Sequence, residues 1–312
     1  MSRAFITGVS GFAGRNLARL LIDRGDTVAG TVHRRSSGVG GVTEHNVDIQ
    51  DVKVLDELLS FFRPDAVYHL AAIVDTVTTP SVMRLHEVNT MGTVAVTEAM
   101  RAAAPDARLL FTSSSFAYGG AGPDELPVKE SQPLRPVTPY GASKAASEDI
   151  VWQFARQTGA EVIVTRAFQH TGPGHTGEYA MADWARQLAE IERDGGSGTI
   201  HCGNLEVERD YLDVRDVASA YAEAATRGTP GRTYNVCSAV PRTMRSLLEG
   251  LIEAFGVDAT IAVDQSRLRR VDQPAFYGDL SALRADTGWE PSIPIERTLS
   301  DLADSTRLAF ER

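Results

Sequence analysis

The first twenty-five residues constrain the fold more than any other stretch. Arg3-Ala4-Phe5-Ile6-Thr7 is a short apolar run that ends in Gly8-Val9-Ser10-Gly11-Phe12-Ala13-Gly14. A helical pattern follows through Leu17, Leu20, Leu21 and Ile22 and closes at Gly25. Strand, glycine-rich turn and helix make the opening unit of a dinucleotide-binding sheet. The glycines permit a tight turn and close backbone approach, and the helix N-terminus receives a pyrophosphate. Three glycines in a turn can be purely structural, but the strand before and the helix after favour a binding role. Gly8, Ser10, Gly11, Phe12 and Gly14 are therefore the first cofactor-binding candidates, and the expected class is α/β with a Rossmann-type doubly wound parallel sheet.

The second strand, Thr27 to Val32, should be followed by Asp or Glu if a ribose 2′-hydroxyl is to be bound. The chain instead reads His33-Arg34-Arg35-Ser36-Ser37. Two guanidiniums and hydroxyls suit a 2′-phosphate, so the expected cofactor is NADP(H), held by Arg34 and Arg35. A merely solvated basic loop, with NAD(H) as cofactor, is the alternative. The net charge of −10 disfavours nucleic acid or an anionic membrane as the main partner, so an anionic ligand needs local basic residues. Cys202 and Cys237, the only cysteines, read as free thiols in a reducing compartment. No run of about 18 apolar residues exists and the start resembles a strand, not a signal peptide. A cytoplasmic protein is expected.

Further along, strand Ala66 to Leu70 leads into Ala71-Ala72, whose small side chains allow close approach to a cofactor; Leu70 belongs with them. His69, inside that apolar strand, reads as a satisfied core residue. The apolar run Ala107 to Phe111 delivers Thr112-Ser113-Ser114-Ser115-Phe116-Ala117-Tyr118-Gly119, and serines after a strand often cap a turn. In Thr138-Pro139-Tyr140-Gly141-Ala142-Ser143-Lys144, Pro139 fits the first turn of a helix. Tyr140 and Lys144 then share a face. A phenol normally ionises near pH ~10, and a neighbouring ammonium lowers that value. The pair can exchange protons near neutrality, although taken alone this spacing is commonplace. After strand Glu161 to Arg166, the stretch Ala167 to His175 is too rich in turn residues for a strand, and a helix follows from about Ala180 to Arg193. His170 and His175 lack a nearby carboxylate or thiol, so no metal site is expected.

In order, these motifs resemble the extended short-chain dehydrogenases/reductases, which pair the Rossmann domain with a smaller C-terminal α/β substrate domain. The resemblance implies a catalytic set of Ser114, Tyr140 and Lys144: Ser114 binds the reacting oxygen, Tyr140 passes the proton, and Lys144 holds the nicotinamide ribose and tunes the phenol. It also places Asp48 and Ile49 against the adenine, and gives Asn89-Thr90-Met91-Gly92-Thr93 an asparagine that stabilises the central sheet. Phe168-Gln169-His170-Thr171-Gly172-Pro173-Gly174-His175 resembles a loop of the GDP-4-dehydro-6-deoxymannose reductases. So do Glu208-Arg209-Asp210-Tyr211-Leu212 and the stretch from Asp264 through Arg269 to Asp272. Gln169 and His175 stand where that family has Asn and Gln.

Sugar-nucleotide 4,6-dehydratases carry acidic residues where this chain has Ser115 and Phe116, which cannot do acid–base work at neutral pH. The implied activity is NADPH-dependent reduction of a 4-keto-6-deoxyhexose linked to a nucleotide. The substrate-binding candidates are Ser115, Phe116, Gln169, Arg209 and Arg269, the two arginines for a diphosphate or, alternatively, as surface ion-pair residues. A 4-epimerase with bound NAD, a 4-ketoreductase of another sugar nucleotide, and an NADP-sensing regulator are the rival readings. The expected boundaries are 1–166 for the NADP(H) domain, with 207–229 returning to it. The sugar-nucleotide domain is expected over 167–206 and 230–312. The resemblance further implies a homodimer paired through helices near 81–103 and 140–158.

Overall fold

In the computed structural model, residues 1–74, 81–177, 179–268 and 273–310 are described. The first half alternates strands and helices: β1 (Arg3–Thr7), α1 (Phe12–Asp23), β2 (Thr27–Val32), β3 (Val42–Asn46), α2 (Val52–Phe62) and β4 (Ala66–His69). Next come α3 (Val82–His86), α4 (Gly92–Ala103), β5 (Arg108–Ser114), α5 (Pro139–Thr158) and β6 (Val162–Ala167). The second half holds β7 (Gln169–Thr171), α6 (Ala180–Arg193), β8 (Ser197–Cys202), β9 (Glu208–Asp213), α7 (Val214–Arg227) and β10 (Thr233–Val236). It ends with β11 (Pro241–Thr243), α8 (Met244–Phe255), β12 (Asp258–Val263), β13 (Ala275–Phe276), α9 (Ser281–Thr287) and α10 (Ile295–Phe310).

Seven strands form one sheet in the order β10-β6-β5-β4-β1-β2-β3, and every pairing in it is parallel. Successive strand residues face opposite sides, and both sides are apolar, as a parallel sheet covered by helices requires. Ala4 and Ile6 join the core beneath α1 and α7, whereas Phe5 joins the core beneath α2, α4 and α5. Strand order reverses between β1 and β4, and that switch point is where such sheets bind ligands. Outside this sheet, β9 pairs with β7, β11 and β13, and β8 pairs with β12. Met181, Trp184, Leu248, Leu251 and Leu302 close a separate core among α6, α8 and α10.

Two sequence expectations change. Residues 169–171 form the short strand β7, because β9 supplies ladder partners from Tyr211 to Asp213. β5 runs on through Ser114 instead of ending at Phe111, carried by its pairing with β6 up to Ser114↔Ala167. Both cysteines are buried and unbridged. No described helix is long and apolar enough to cross a membrane.

Candidate active site

The glycine turn is shaped by contacts that exclude side chains. Gly8 has φ +72°, and a Cβ there would lie 2.8 Å from the Ala71 Cα, so the turn after β1 and the segment after β4 touch backbone to backbone. At Gly14 a Cβ would fall 2.4 Å from the Gly8 carbonyl oxygen. Gly11 caps α1 with no side-chain hydrogen bond, which leaves the helix N-terminus open for an anion. The turn leaves no room for side chains and opens onto the start of α1, so the residues present fit a dinucleotide. Arg34, at φ +68°, and Arg35 are exposed in the loop after β2. Ser37 instead turns inward, donating both its N–H (2.8 Å) and its hydroxyl to the Glu44 carboxylate. Ile49 is buried against Gly92, while the Asp48 carboxylate accepts from the Gln50 N–H at 3.1 Å. Leu70 and Ala71 are tied to β1, through Thr7 O and Thr7 Oγ1 at 3.2 Å each, and Ala72 follows in the same partly buried segment.

A hydrogen-bond chain fixes that segment from below. The Ala71 N–H donates to Thr7 Oγ1, which also lies 2.7 Å from His69 Nδ1. On the other side Thr93 Oγ1 donates to the Asn89 carbonyl, so it accepts from His69 Nε2 (3.1 Å). Thr93 has one proton and gives it to Asn89, so the neutral imidazole carries its proton on Nε2 and accepts the Thr7 hydroxyl at Nδ1. Burial, with Lys144 nearby, holds His69 down to about 3. His69 is thus a connector in the core.

α5 starts where the sequence requires. Thr138 accepts from the Gly141 N–H at 3.0 Å, and Pro139 occupies the first turn. Gly141 lets this turn press against the turn after β5: a Cβ there would stand 2.3 Å from the Phe116 carbonyl oxygen. The approach brings Ser114 into hydrogen-bonding reach of the Tyr140 phenol and sets the Phe116 ring edge-on to Tyr140, 6.0 Å between centroids. Lys144 is buried, donates to the Thr112 carbonyl at 2.7 Å and lies 5.1 Å from the Phe111 ring centre. Ser114, Tyr140 and Lys144 therefore meet at the C-terminal end of β5.

Electrostatically the set differs from the simple expectation. Burial above all, then Tyr179, pushes the Tyr140 phenol up from its ordinary value of 10.0, and only Ser114 acts to lower it. Lys144 is instead the group shifted toward neutrality, to about 8, because burial penalises its charge more than Glu148 supports it. The lowering of Tyr140 by Lys144 read from their spacing is not seen, since the ammonium is directed at the Thr112 carbonyl.

Of the substrate candidates, Ser115 Oγ and Gln169 Oε1 are buried polar atoms without a protein partner. The register Ser114↔Ala167 carries both segments to the same edge of the sheet. Arg209 directs Nη1 at two main-chain carbonyls, Glu208 (2.7 Å) and Gln273 (2.9 Å), and so braces the chain around β9. Arg269 lies outside the described residues.

Two sets of contacts were not readable from the sequence: the partners of Asn89, which the resemblance singled out without naming them, and an aromatic stack over the glycine turn. Asn89 sits in a π-helical turn and holds Ile73 through both N–H (2.8 Å) and carbonyl (2.9 Å), while its amide also donates to Ser143 Oγ at 2.9 Å. It therefore joins the segment after β4 to the Tyr140 helix. Phe12 stacks on His175 at 4.6 Å, and His175 stacks on Tyr179 at 5.5 Å, so the loop after β7 lies over the glycine turn. Among the described residues no cluster of three or more His, Cys, Asp or Glu could hold a metal.

This sheet, glycine turn and Ser-Tyr-Lys set define an extended short-chain dehydrogenase/reductase, a class of NAD(P)-dependent enzymes that act on sugar nucleotides. The model of the GDP-mannose 4,6-dehydratase family matches residues 5–302, and the chain belongs to that family. It is 33% identical over 300 residues to GDP-6-deoxy-D-mannose reductase of Pseudomonas aeruginosa, covering 95% of this chain and 94% of that protein. To UDP-glucose 4-epimerase of Streptomyces lividans it is 30% identical, over 92% of this chain and 91% of that one. The structure of RMD from Pseudomonas aeruginosa complexed with NADPH superposes with a TM-score of 0.85 at 30% identity, covering 99% and 100% of the two chains. That of Thermus thermophilus UDP-glucose 4-epimerase complexed with NAD gives 0.84 at 28% identity, covering 98% and 99%.

Proposed function

We propose that this enzyme uses NADPH to reduce the 4-keto group of a nucleotide-linked 4-keto-6-deoxyhexose. The observation that carries the reading is the Ser114-Tyr140-Lys144 set together with a loop after β2 that offers Arg34 and Arg35 and no carboxylate at the strand's end. Similarity to a GDP-6-deoxy-D-mannose reductase, and to a structure complexed with NADPH, supports it.

In this reading residues 1–166, with 207–229, carry the cofactor, joined by β10 (Thr233–Val236), which the seven-strand sheet takes as its edge strand, while 167–206 and the rest of 230–312 carry the sugar nucleotide. The glycine turn holds the pyrophosphate, Arg34 and Arg35 the 2′-phosphate, and Ile49 with Asp48 the adenine end. When bound, the nicotinamide supplies hydride. Ser114 donates to the substrate's carbonyl oxygen and orients it. Tyr140, kept protonated by its burial, gives its proton to the oxygen as negative charge develops there. Lys144 holds the nicotinamide ribose, and its ammonium offsets the phenolate that remains. Ser115 and Gln169 offer unpaired buried polar atoms to the sugar. Ser115 and Phe116 supply no acid or base for eliminating water, which argues against a 4,6-dehydratase. Two copies pair through the helices near 81–103 and 140–158, and the enzyme works in the cytoplasm.

Thermal-shift screening of nucleoside diphosphates with NADP present identifies the base, and NADPH-consumption assays on matching 4-keto sugars test the reaction. Stoichiometric NAD in the purified protein, with turnover that needs no added NADPH, would favour 4-epimerisation and sink this reading.

A further inference from the structure

Behind Lys144 lies a buried ion pair to which nothing above gives a role. Glu148 stands one helical turn after Lys144 on α5, with its side chain 3% exposed, and Arg166, the penultimate residue of β6, is 8% exposed. The guanidinium grips the carboxylate with two nitrogens: Arg166 Nη2 to Oε2 at 2.7 Å and Nε to Oε1 at 2.9 Å. Ser113, immediately before Ser114, donates its hydroxyl to the same Oε1. Arg166 also donates to the Glu130 carbonyl at 3.1 Å and lies over the Tyr118 ring, 4.7 Å from its centre. One carboxylate thus joins the strand that ends in Ser114, the helix that carries Tyr140 and Lys144, and the strand that leads to Gln169.

We infer that Glu148 is a positioning residue for this active site, setting the charge of Lys144 and the placement of Ser114 through Ser113. A buried ion pair often contributes little to stability compared with an apolar pair of similar volume, so its presence here calls for another role. The groups facing Lys144 are few. From β5 they are the Thr112 carbonyl and the Phe111 ring, from β4 His69, and on its own helix Glu148. His69 is neutral at working pH, so Glu148 is the anion among these that favours the ammonium. Facing Glu148 in turn are Arg166, Ser113 and, near its partner, Tyr118 and Glu130.

The inference rests on the proposed role of Lys144 in ketone reduction, but part of its test does not. Lys53, Lys129 and Lys144 are the chain's only lysines, so isotope-labelled lysine gives three side-chain signals, and loss of one in Lys144→Met assigns it. Lys144 is expected to titrate near 8 in the wild type, and in Glu148→Gln about one unit lower, as loss of a nearby opposite charge requires. In assays, kcat for reduction should fall about tenfold or more, with KM for NADPH nearly unchanged. The rate falls as pH rises through the Lys144 value, so that limb should move to lower pH by the same interval. Removing one partner of a buried pair can unfold the chain, so Glu148→Leu/Arg166→Met, which keeps the volume apolar, provides the second variant. It should fold and move Lys144 in the same direction by a smaller interval, because the Arg166 cation is removed along with the Glu148 anion. A wild-type Lys144 titration in either folded variant overturns the inference, as does loss of fold in both. If no 4-keto sugar is reduced by the wild type while the lysine signal still shifts, the proposed reaction fails and the link between Glu148 and Lys144 stands.

Discussion

Gly141→Ala tests how tightly the active-site geometry is set. A Cβ at position 141 would meet the Phe116 carbonyl oxygen at 2.3 Å and its carbon at 2.9 Å. Both are backbone atoms, so no side chain can rotate away, and the oxygen contact must open by about 1 Å to reach ordinary van der Waals distance. That displacement separates the turn carrying Ser114 from the first turn of α5 carrying Tyr140. Overpacking of this kind costs about 1–3 kcal/mol. Alanine recovers about 1 kcal/mol relative to glycine inside a helix, so the net loss of stability should be only ~0–2 kcal/mol. Misplacing reacting groups by 1 Å costs on the order of 10²-fold in rate. Thermal denaturation should therefore move little, NADPH affinity should stay near wild type, and kcat should drop about a hundredfold. A Gly141→Ala enzyme with wild-type kcat would refute the claim that the contact sets the Ser114–Tyr140 spacing.

Three further outcomes follow from the same geometry. Tyr140→Phe should bind NADPH normally and lose nearly all turnover, measured by cofactor fluorescence and NADPH consumption; a near-normal rate removes Tyr140 as the proton donor. Arg34→Ser/Arg35→Ser should weaken NADP affinity about tenfold or more while leaving NAD affinity nearly unchanged, because only charge-assisted bonds to a 2′-phosphate are lost; equal weakening of both cofactors in a calorimetric titration contradicts that assignment. Burial holds His69 and His175 down to about 3, against 6.5 for an ordinary imidazole. Between those values the unfolded chain binds more protons than the folded one, so stability should fall as pH drops from about 6.5. Melting temperatures from pH 7 to 4.5 should decline less steeply in His175→Asn, and parallel curves would contradict the argument.

What could be read from the sequence was local. The glycine turn, the capped start of α5 and the Tyr140–Lys144 spacing are each written within one strand–turn–helix unit, where backbone sterics and helical period decide the outcome. Other parts of the site depend on distant partners. Gly141 gives no sign of its role until the turn at Phe116 is placed against it. The resemblance marks Asn89 as a stabiliser of the central sheet, but its partners, the backbone of Ile73 and the hydroxyl of Ser143, come from distant stretches and cannot be read from its own. Phe12, His175 and Tyr179 are separated by loops, so their stack is invisible to periodicity. Residues 169–171 look like a turn, and only β9 makes them a strand. The expected lowering of the Tyr140 phenol by Lys144 fails for the same reason: spacing places the two residues on one face, whereas burial and the Thr112 carbonyl fix where the ammonium points.

The most direct test of ketone reduction at this site follows the hydride itself. With NADPH carrying deuterium at the transferable position of carbon 4 of the nicotinamide, the enzyme should place one deuterium on carbon 4 of the product sugar for each cofactor oxidised. Mass spectrometry and proton NMR of the product read both quantities. Product without deuterium, formed as the sugar's own hydrogen is removed and returned, would contradict reduction and point to epimerisation.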